Sequence, residues 1–236
     1  MPEELLRVDN LCAGYGASQI LEDLSFSMGQ EAVTIVGRNG MGKTTMCNTL
    51  MGLLTSSSGT ITFEGERIDG LTPEKVARRG IAYIPQGRRL FPSLTVDEHL
   101  AMLAKGTKGK RWTPEAVYEL FPRLAERRKN GGAELSGGEQ QMLSVGRALL
   151  LNAKLYLMDE PTEGLAPTIV DDLIKVVHHL IELGSAVLIV EQNLRAATAM
   201  AERQLIMVSG RIEHETTAAE LRDNAALQKQ YLGVDA

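Results

Sequence analysis

The chain is short of cysteine, of aromatic residues and of basic charge. Its two cysteines, Cys12 and Cys47, stand far apart in apolar stretches. That excludes a disulfide scaffold, and both read as buried free thiols of a reducing compartment. Aromatic residues make up 4% of the 236, too few for a base-stacking platform. Acidic residues outnumber basic ones, 30 against 25, for a net charge of −5. A nucleic-acid binder normally carries the opposite surplus, so no nucleic acid is expected as partner. No apolar run approaches the roughly 18 residues of a membrane span. Met1-Pro2-Glu3-Glu4 lacks the basic start and apolar run of a signal peptide. Internal repeats and low-complexity segments are missing too. What remains is ordinary globular material, 44% apolar and 23% charged. It suits one large domain, or a core with a small subdomain, in the cytosol.

Strand and helix patterns alternate along the chain. Residues 5–11, 32–36, 60–63, 81–84, 155–158 and 186–190 read as strands, and 204–213 as a hairpin through Ser209-Gly210. Helices are expected over 44–54, from Pro73 to Gly80, from Val96 to about Leu103, from Pro114 onward, and over 138–151, 168–183 and 217–232. Thr72 before Pro73, and Thr95 three residues before Glu98, are start signals. The continuous apolar strands and their alternation with helices point to a mostly parallel sheet. From about residue 90 the pattern turns helical, as an inserted subdomain would. Residues 105–111 form a basic, glycine-bearing loop.

Three motifs carry chemistry. Gly37-Arg38-Asn39-Gly40-Met41-Gly42-Lys43-Thr44 follows a strand and opens a helix, the context in which such a loop cradles phosphates. Its glycines aim backbone N–H groups inward, and the helix adds positive potential. Lys43 is placed for the β- and γ-phosphates, and Thr44 for Mg2+. Apolar residues 155–158 end in Asp159-Glu160, at the strand end where α/β sheets hold ligands. Asp159 is the expected second metal ligand, and Glu160 the group that polarises water. The third motif is Leu135-Ser136-Gly137-Gly138-Glu139-Gln140-Gln141. Ser136 and Glu139 suit a capping box, but two glycines in a first helical turn are poor helix formers. They suit a second anion.

These motifs, in this order and spacing, resemble the nucleotide-binding subunit of ABC transporters over almost the whole chain. The resemblance implies an α/β fold: a P-loop NTPase core with a mostly parallel sheet, an N-terminal antiparallel β part and an inserted α-helical subdomain. It implies a single ABC ATPase domain over 1–236, with the core at about 1–89 and 152–236 and the helical part at about 90–151. It implies ATP and Mg2+ as ligands, and a second ABC ATPase subunit, paralogue or self, facing this one head to tail. Ser136, Gly137 and Gly138 of one subunit would then serve the nucleotide in the other's loop, residues Gly37 to Thr45 including Arg38, Asn39, Gly40, Met41 and Gly42. Tyr15 matches the aromatic residue that stacks on adenine. Gln86 matches the lid glutamine that senses Mg2+. Leu90-Phe91-Pro92 is either core or part of a groove for transmembrane permease subunits. A periplasmic or extracellular substrate-binding protein would act indirectly. The expected location is peripheral, on the cytoplasmic face of the membrane.

Two positions depart from the family pattern. Gln192 stands at the switch-histidine position, and it offers a neutral amide where the family has an ionisable ring. Ala166 replaces an aspartate that links the two nucleotide sites. The four histidines, His99, His178, His179 and His214, read as surface or capping residues. Together "GRNGMGKTT", "PQGRRLFPSLTVDEHL", "DEPTEGLAPTIV" and "VEQN" resemble the smaller ATPase of branched-chain amino acid importers. Related urea and amide importers share them, and an exporter ATPase would use the same chemistry. A chromosome-organising ATPase would need a long coiled coil between Lys43 and Asp159, and a translation factor a second cassette. Neither is present in the sequence.

Overall fold

The computed structural model describes residues 4–105, 107 and 109–233; Met1, Pro2 and Glu3, and Gly106 and Lys108 of the basic loop, lie outside them. The strands are Leu6–Tyr15 (β1), Ser18–Met28 (β2), Ala32–Val36 (β3), Ser58–Phe63 (β4), Glu66–Arg67 (β5), Ile81–Ile84 (β6), Leu155–Asp159 (β7), Ala186–Glu191 (β8), Arg203–Val208 (β9) and Arg211–Thr217 (β10). The helices are Lys43–Leu50 (α1), Pro73–Arg78 (α2), Val96–Ala101 (α3), Pro114–Leu120 (α4), Pro122–Glu126 (α5), Gly137–Leu149 (α6), Pro167–Glu182 (α7), Leu194–Met200 (α8), Ala218–Asp223 (α9) and Ala225–Leu232 (α10).

The strands form two sheets. One, in the order β2-β1-β4-β5, is antiparallel. The other runs β10-β9-β3-β8-β7-β6. From β9 to β6 its neighbours are parallel, and β10 closes it as an antiparallel hairpin with β9. This is the expected α/β class with an antiparallel N-terminal part.

Every residue of β7 and β8 is buried, because the parallel sheet is covered on both faces. Alternation divides their side chains. Leu155 and Leu157 face an apolar cluster shared with Leu6, Val8 and Leu24 of the first sheet and Met46 and Leu50 of α1. Tyr156 and Met158 face a second cluster, with Leu143 of α6, Leu173 of α7, Leu100 of α3 and Val117 of α4. Each fully buried aliphatic side chain stabilises the fold by about 1.5–3 kcal/mol. The sheet is therefore a stiff floor, and the segments that leave β3, β6, β7 and β8 at their C-terminal ends are held from below.

The structure corrects several expectations. An eleven-residue strand, β2, occupies residues read as a turn and its sequel. Bulges in its pairing with β1 break the alternation that would have announced it. The helix α8 was not expected either; Asn193 caps it by accepting from the Ala196 N–H at 3.2 Å. The last helix is two helices, separated at Asn224, whose side chain caps the second. His99 is neither a surface nor a capping residue: it is fully buried. Its Nε2 accepts from the Phe91 N–H at 3.0 Å, which leaves Nδ1 to donate to the Thr95 carbonyl at 2.8 Å. That arrangement needs a neutral ring, and burial holds its pKa below the ordinary histidine value.

Candidate functional site

The loop after β3 is shaped by glycine where backbone demands it. Gly42 sits at φ +102 immediately before α1, a conformation that L side chains rarely adopt. Gly37 is held against β9, where a Cβ would lie 2.7 Å from the Met207 carbonyl oxygen. The β9–β10 hairpin props the loop further, with Gly210 N–H donating to the Met41 carbonyl at 3.0 Å. Arg38, Asn39 and Gly40 remain exposed along its outer edge, and Thr45 is buried beneath it.

Lys43, the first residue of α1, is only 4% exposed. Its Nζ donates to the carbonyls of Gly37 (2.8 Å) and Arg38 (3.1 Å) and pairs with Glu160 Oε1 at 3.1 Å. Glu160 follows β7 with φ +47, and its N–H donates to the Val190 carbonyl of β8 at 2.9 Å. A non-glycine residue in this region stores strain, and the bond to β8 fixes the direction of the carboxylate. Gln86, in the loop after β6, donates to Glu160 Oε2 at 3.3 Å and to Glu163 Oε2 at 2.9 Å. Lys43, Glu160 and Gln86 thus form one chain of contacts across three strand ends.

Asp159, the last residue of β7, is 1% exposed. Thr44 Oγ1 donates to its Oδ1 at 3.2 Å, and Tyr83 Oη to its Oδ2 at 3.1 Å. Burial raises its pKa, while the bonds from Tyr83 and Thr44 pull it back down. Burial likewise pushes the Tyr83 phenol far up, so it stays a donor. Sequence reasoning missed Tyr83; its one signal is a hydroxyl in an otherwise apolar strand. It missed Glu191 as well. That carboxylate, at the end of β8, accepts from Thr162 Oγ1 (2.8 Å) and from the N–H groups of Gln192 (2.9 Å) and Asn193 (3.1 Å). Burial raises its pKa against those bonds. Glu191 therefore shapes the turn that presents Gln192, whose own side chain is exposed.

Tyr15 lies at the tip of the β1–β2 hairpin, 53% exposed, with Asn48 of α1 donating to its hydroxyl at 3.5 Å. The hydroxyl is tethered beside α1 and much of the ring faces solvent.

The capping box at the head of α6 is present: Ser136 Oγ accepts from the Glu139 N–H (3.3 Å), and Glu139 Oε2 from the Ser136 N–H (2.7 Å). The N–H groups of Gly137 and Gly138 have no carbonyl four residues back within the helix. Both glycines also have a reason within this chain. A Cβ on Gly137 would lie 3.1 Å from the Arg88 guanidinium, and one on Gly138 would lie 2.9 Å from the Ile169 side chain of α7. The side chains nearest Gly137 and Gly138 are thus those of Arg88 and Ile169, while Ser136 is engaged with Glu139.

Comparison with known proteins agrees with this geometry. The ABC transporter family pattern matches residues 21–163. The high-affinity branched-chain amino acid transport ATP-binding protein BraG of Pseudomonas aeruginosa is 41% identical, over 97% of this chain and 100% of its own. The lipopolysaccharide export system ATP-binding protein LptB of Haemophilus influenzae is 34% identical, over 97% of both chains. A nucleotide-free ATP-binding cassette of an ABC transporter superposes with a TM-score of 0.83 at 27% identity, covering 97% of each chain. With a glycine-rich loop after β3, a buried carboxylate at the end of β7 and these relatives along its length, the chain belongs to the ABC transporter family.

Proposed function

We propose that this chain is the ATP-hydrolysing subunit of an importer for branched-chain amino acids. The observation that carries the chemistry is the chain of contacts Lys43–Glu160–Gln86 beside a buried Asp159. The 41% identity to BraG over nearly the full length supports the cargo.

The N–H groups of residues 37–45 receive the phosphates of ATP, with Tyr15 as the platform for the base. An entering γ-phosphate competes for Lys43 and draws it from Glu160. The freed carboxylate accepts a proton from water as that water's oxygen bonds to the γ-phosphorus. The bond from phosphorus to the β–γ bridging oxygen breaks, and ADP and inorganic phosphate result. Such transfers rely on positioning and charge neutralisation more than on covalent chemistry. The Thr44 hydroxyl, the Asp159 carboxylate and the Gln86 amide are hard oxygen donors, a set that suits Mg2+ together with phosphate. Among the described residues no cluster of three His, Cys, Asp or Glu forms a closed metal cage. When bound there, Mg2+ supplies neutralisation of phosphate charge.

The N–H groups of Gly137 and Gly138, which start α6 and have no helical carbonyl to bond, support a second ATPase subunit facing this one head to tail, each completing the other's site. Gln192 offers its amide to the γ-phosphate or the water. We place the core at about 1–89 and 152–236 and the helical subdomain at about 90–151. Among the described residues no helix is long and apolar enough to cross a membrane. The cargo path is therefore assigned to permease subunits, with this chain on their cytoplasmic face and a substrate-binding protein opposite. Phe91, 46% exposed, supports a docking role for its loop. A second reading, ATPase of an export system, is favoured by the LptB likeness. The test is to purify the assembled transporter and titrate ATP hydrolysis with binding protein loaded with leucine, isoleucine or valine. Stimulation by these ligands is expected; hydrolysis indifferent to all three removes the importer assignment.

A further inference from the structure

Three segments meet at Gly42. A Cβ there would lie 3.1 Å from the Leu21 side chain and 3.4 Å from that of Ile20, both on β2, and 3.6 Å from the Gly210 Cα of the β9–β10 turn. The turn grips both of its neighbours. Towards the glycine-rich loop, the Ser209 N–H donates to Met41 Sδ at 3.3 Å and the Gly210 N–H to the Met41 carbonyl at 3.0 Å. Towards β2, the Gly210 carbonyl accepts from the Glu22 N–H at 3.2 Å, and Arg211 pairs with Glu22 Oε2 at 2.9 Å. Ser209 and Gly210 lie at φ +46 and +79, the positive values that a tight two-residue hairpin turn requires. A Cβ on Gly210 would run into the Ile20 carbonyl oxygen, so any larger residue there pushes the turn and β2 apart. Within the β1–β2 hairpin, Ser18 pairs with Tyr15 and Leu21 with Ala13. The turn therefore holds this hairpin just below its aromatic tip, while Asn48 of α1 holds the tip itself through the Tyr15 hydroxyl.

We infer that the Ser209–Gly210 turn is a positioning element that sets the span between Tyr15 and the glycine-rich loop, and so lets the site favour a nucleotide over inorganic polyphosphate. This rests on the proposed reading, in which Tyr15 takes the base and residues 37–45 the phosphates. The turn acts through Met41 on one side and β2 on the other. A nucleotide touches both ends of the site at once, so its affinity depends on their separation. A ligand made of phosphates alone touches one end and is indifferent to that separation. Preorganised spacing raises affinity by sparing the ligand the cost of bringing the two ends together.

Calorimetric titration of the full chain with Mg·ADP and with magnesium pyrophosphate tests this, in Gly210→Ala, in Tyr15→Ala and in the double variant. Gly210→Ala is expected to lower ADP affinity by about tenfold or more while pyrophosphate affinity stays within about twofold. Tyr15→Ala is expected to show the same selectivity, and the double variant to lose no more ADP affinity than Tyr15→Ala alone. A merely structural role would weaken both ligands together and would add to the Tyr15→Ala loss. Equal losses for the two ligands, additive losses for ADP, or unchanged ADP affinity in Gly210→Ala overturns the inference. Should Gly210→Ala not fold, Arg211→Ala cuts the tie to Glu22 at the surface and carries the same expectations at about two- to fivefold, with the same refutations. Unchanged ADP affinity in Tyr15→Ala overturns the base-platform reading itself, and this inference with it.

Discussion

Replacing Tyr83 by phenylalanine removes one oxygen and tests how Asp159 is held. The Tyr83 hydroxyl is one of two groups on that carboxylate, the other being Thr44. A hydrogen bond to a charged acceptor contributes about 1.5–3 kcal/mol, and stranding a buried acceptor costs about 1–3 kcal/mol. Tyr83 also borders a cavity of about 340 Å3 lined by Pro85, Arg88, Arg89 and Arg147, polar and roomy enough to hold water beside the vacated hydroxyl position. The lower part of that range is therefore expected, about 1–2 kcal/mol. For a chain of this length that lowers Tm by about 2–8 °C. The pH effect has a definite sign. The Tyr83 bond lowers a pKa that burial raises, so its loss raises the Asp159 pKa further. Hydrolysis by Tyr83→Phe should consequently fail at higher pH on the acid side than hydrolysis by the parent. Its half-saturating Mg2+ should rise, about tenfold for each 1.4 kcal/mol lost. Calorimetric melting and a pH–rate profile at several Mg2+ concentrations measure all three. Unchanged Tm together with superimposable profiles would refute the claim that Tyr83 orients Asp159.

Glu160→Gln keeps the shape of the side chain and removes the base; hydrolysis is expected to fall by about 10²–10⁴ with ATP still bound, and turnover near the parent value would return the role to another group. Ser136→Ala removes the α6 cap, at about 1 kcal/mol of stability, and should cut hydrolysis by the assembled transporter while the monomer binds ATP as before; equal loss of both would contradict a site completed by a second subunit. His99 has a folded pKa below its unfolded value, so its contribution to stability is complete above about pH 6.5 and is lost as pH falls through the folded pKa. Chemical denaturation between pH 7.5 and 5 should show that loss, and His99→Asn should flatten the profile; parallel profiles for the two proteins would argue against a neutral buried ring.

Much of the parallel sheet was legible because its strands carry two faces of apolar side chains and end in turn residues. Residues 155–158 illustrate this: four consecutive apolar residues with an acid at each following position admit few other readings. The strand β2 was not legible. Its buried set, Leu21, Leu24, Phe26 and Met28, departs from strict alternation between Leu21 and Leu24, where pairing with β1 is irregular. His99 was misread because its burial comes from the Phe91 loop folding over α3, a contact that no periodicity encodes. In the site, the loop at Gly37–Thr44 and the pair Asp159-Glu160 stand out as local patterns. Tyr83 and Glu191 do not. Each acts on a partner through folded geometry, Tyr83 on Asp159 and Glu191 on Thr162 and the Gln192 turn. A single polar side chain inside or ending an apolar strand gives no sign of which neighbour it will meet. The same holds for Gly138, whose packing against Ile169 of α7 appears only in three dimensions.

The pairing of Lys43 with Glu160 has a consequence for affinity as well as for chemistry. The Glu160 carboxylate is an internal anion on the lysine that the proposed site offers to phosphate. On the proposed reading, a γ-phosphate that enters displaces it, and the carboxylate returns to the lysine when that phosphate has left. Binding is weakened by the free energy of that exchange, and release is helped by the same amount. In the proposed site, the ion pair trades some hold on the γ-phosphate for easier release of inorganic phosphate, which suits a subunit that must reset on each cycle.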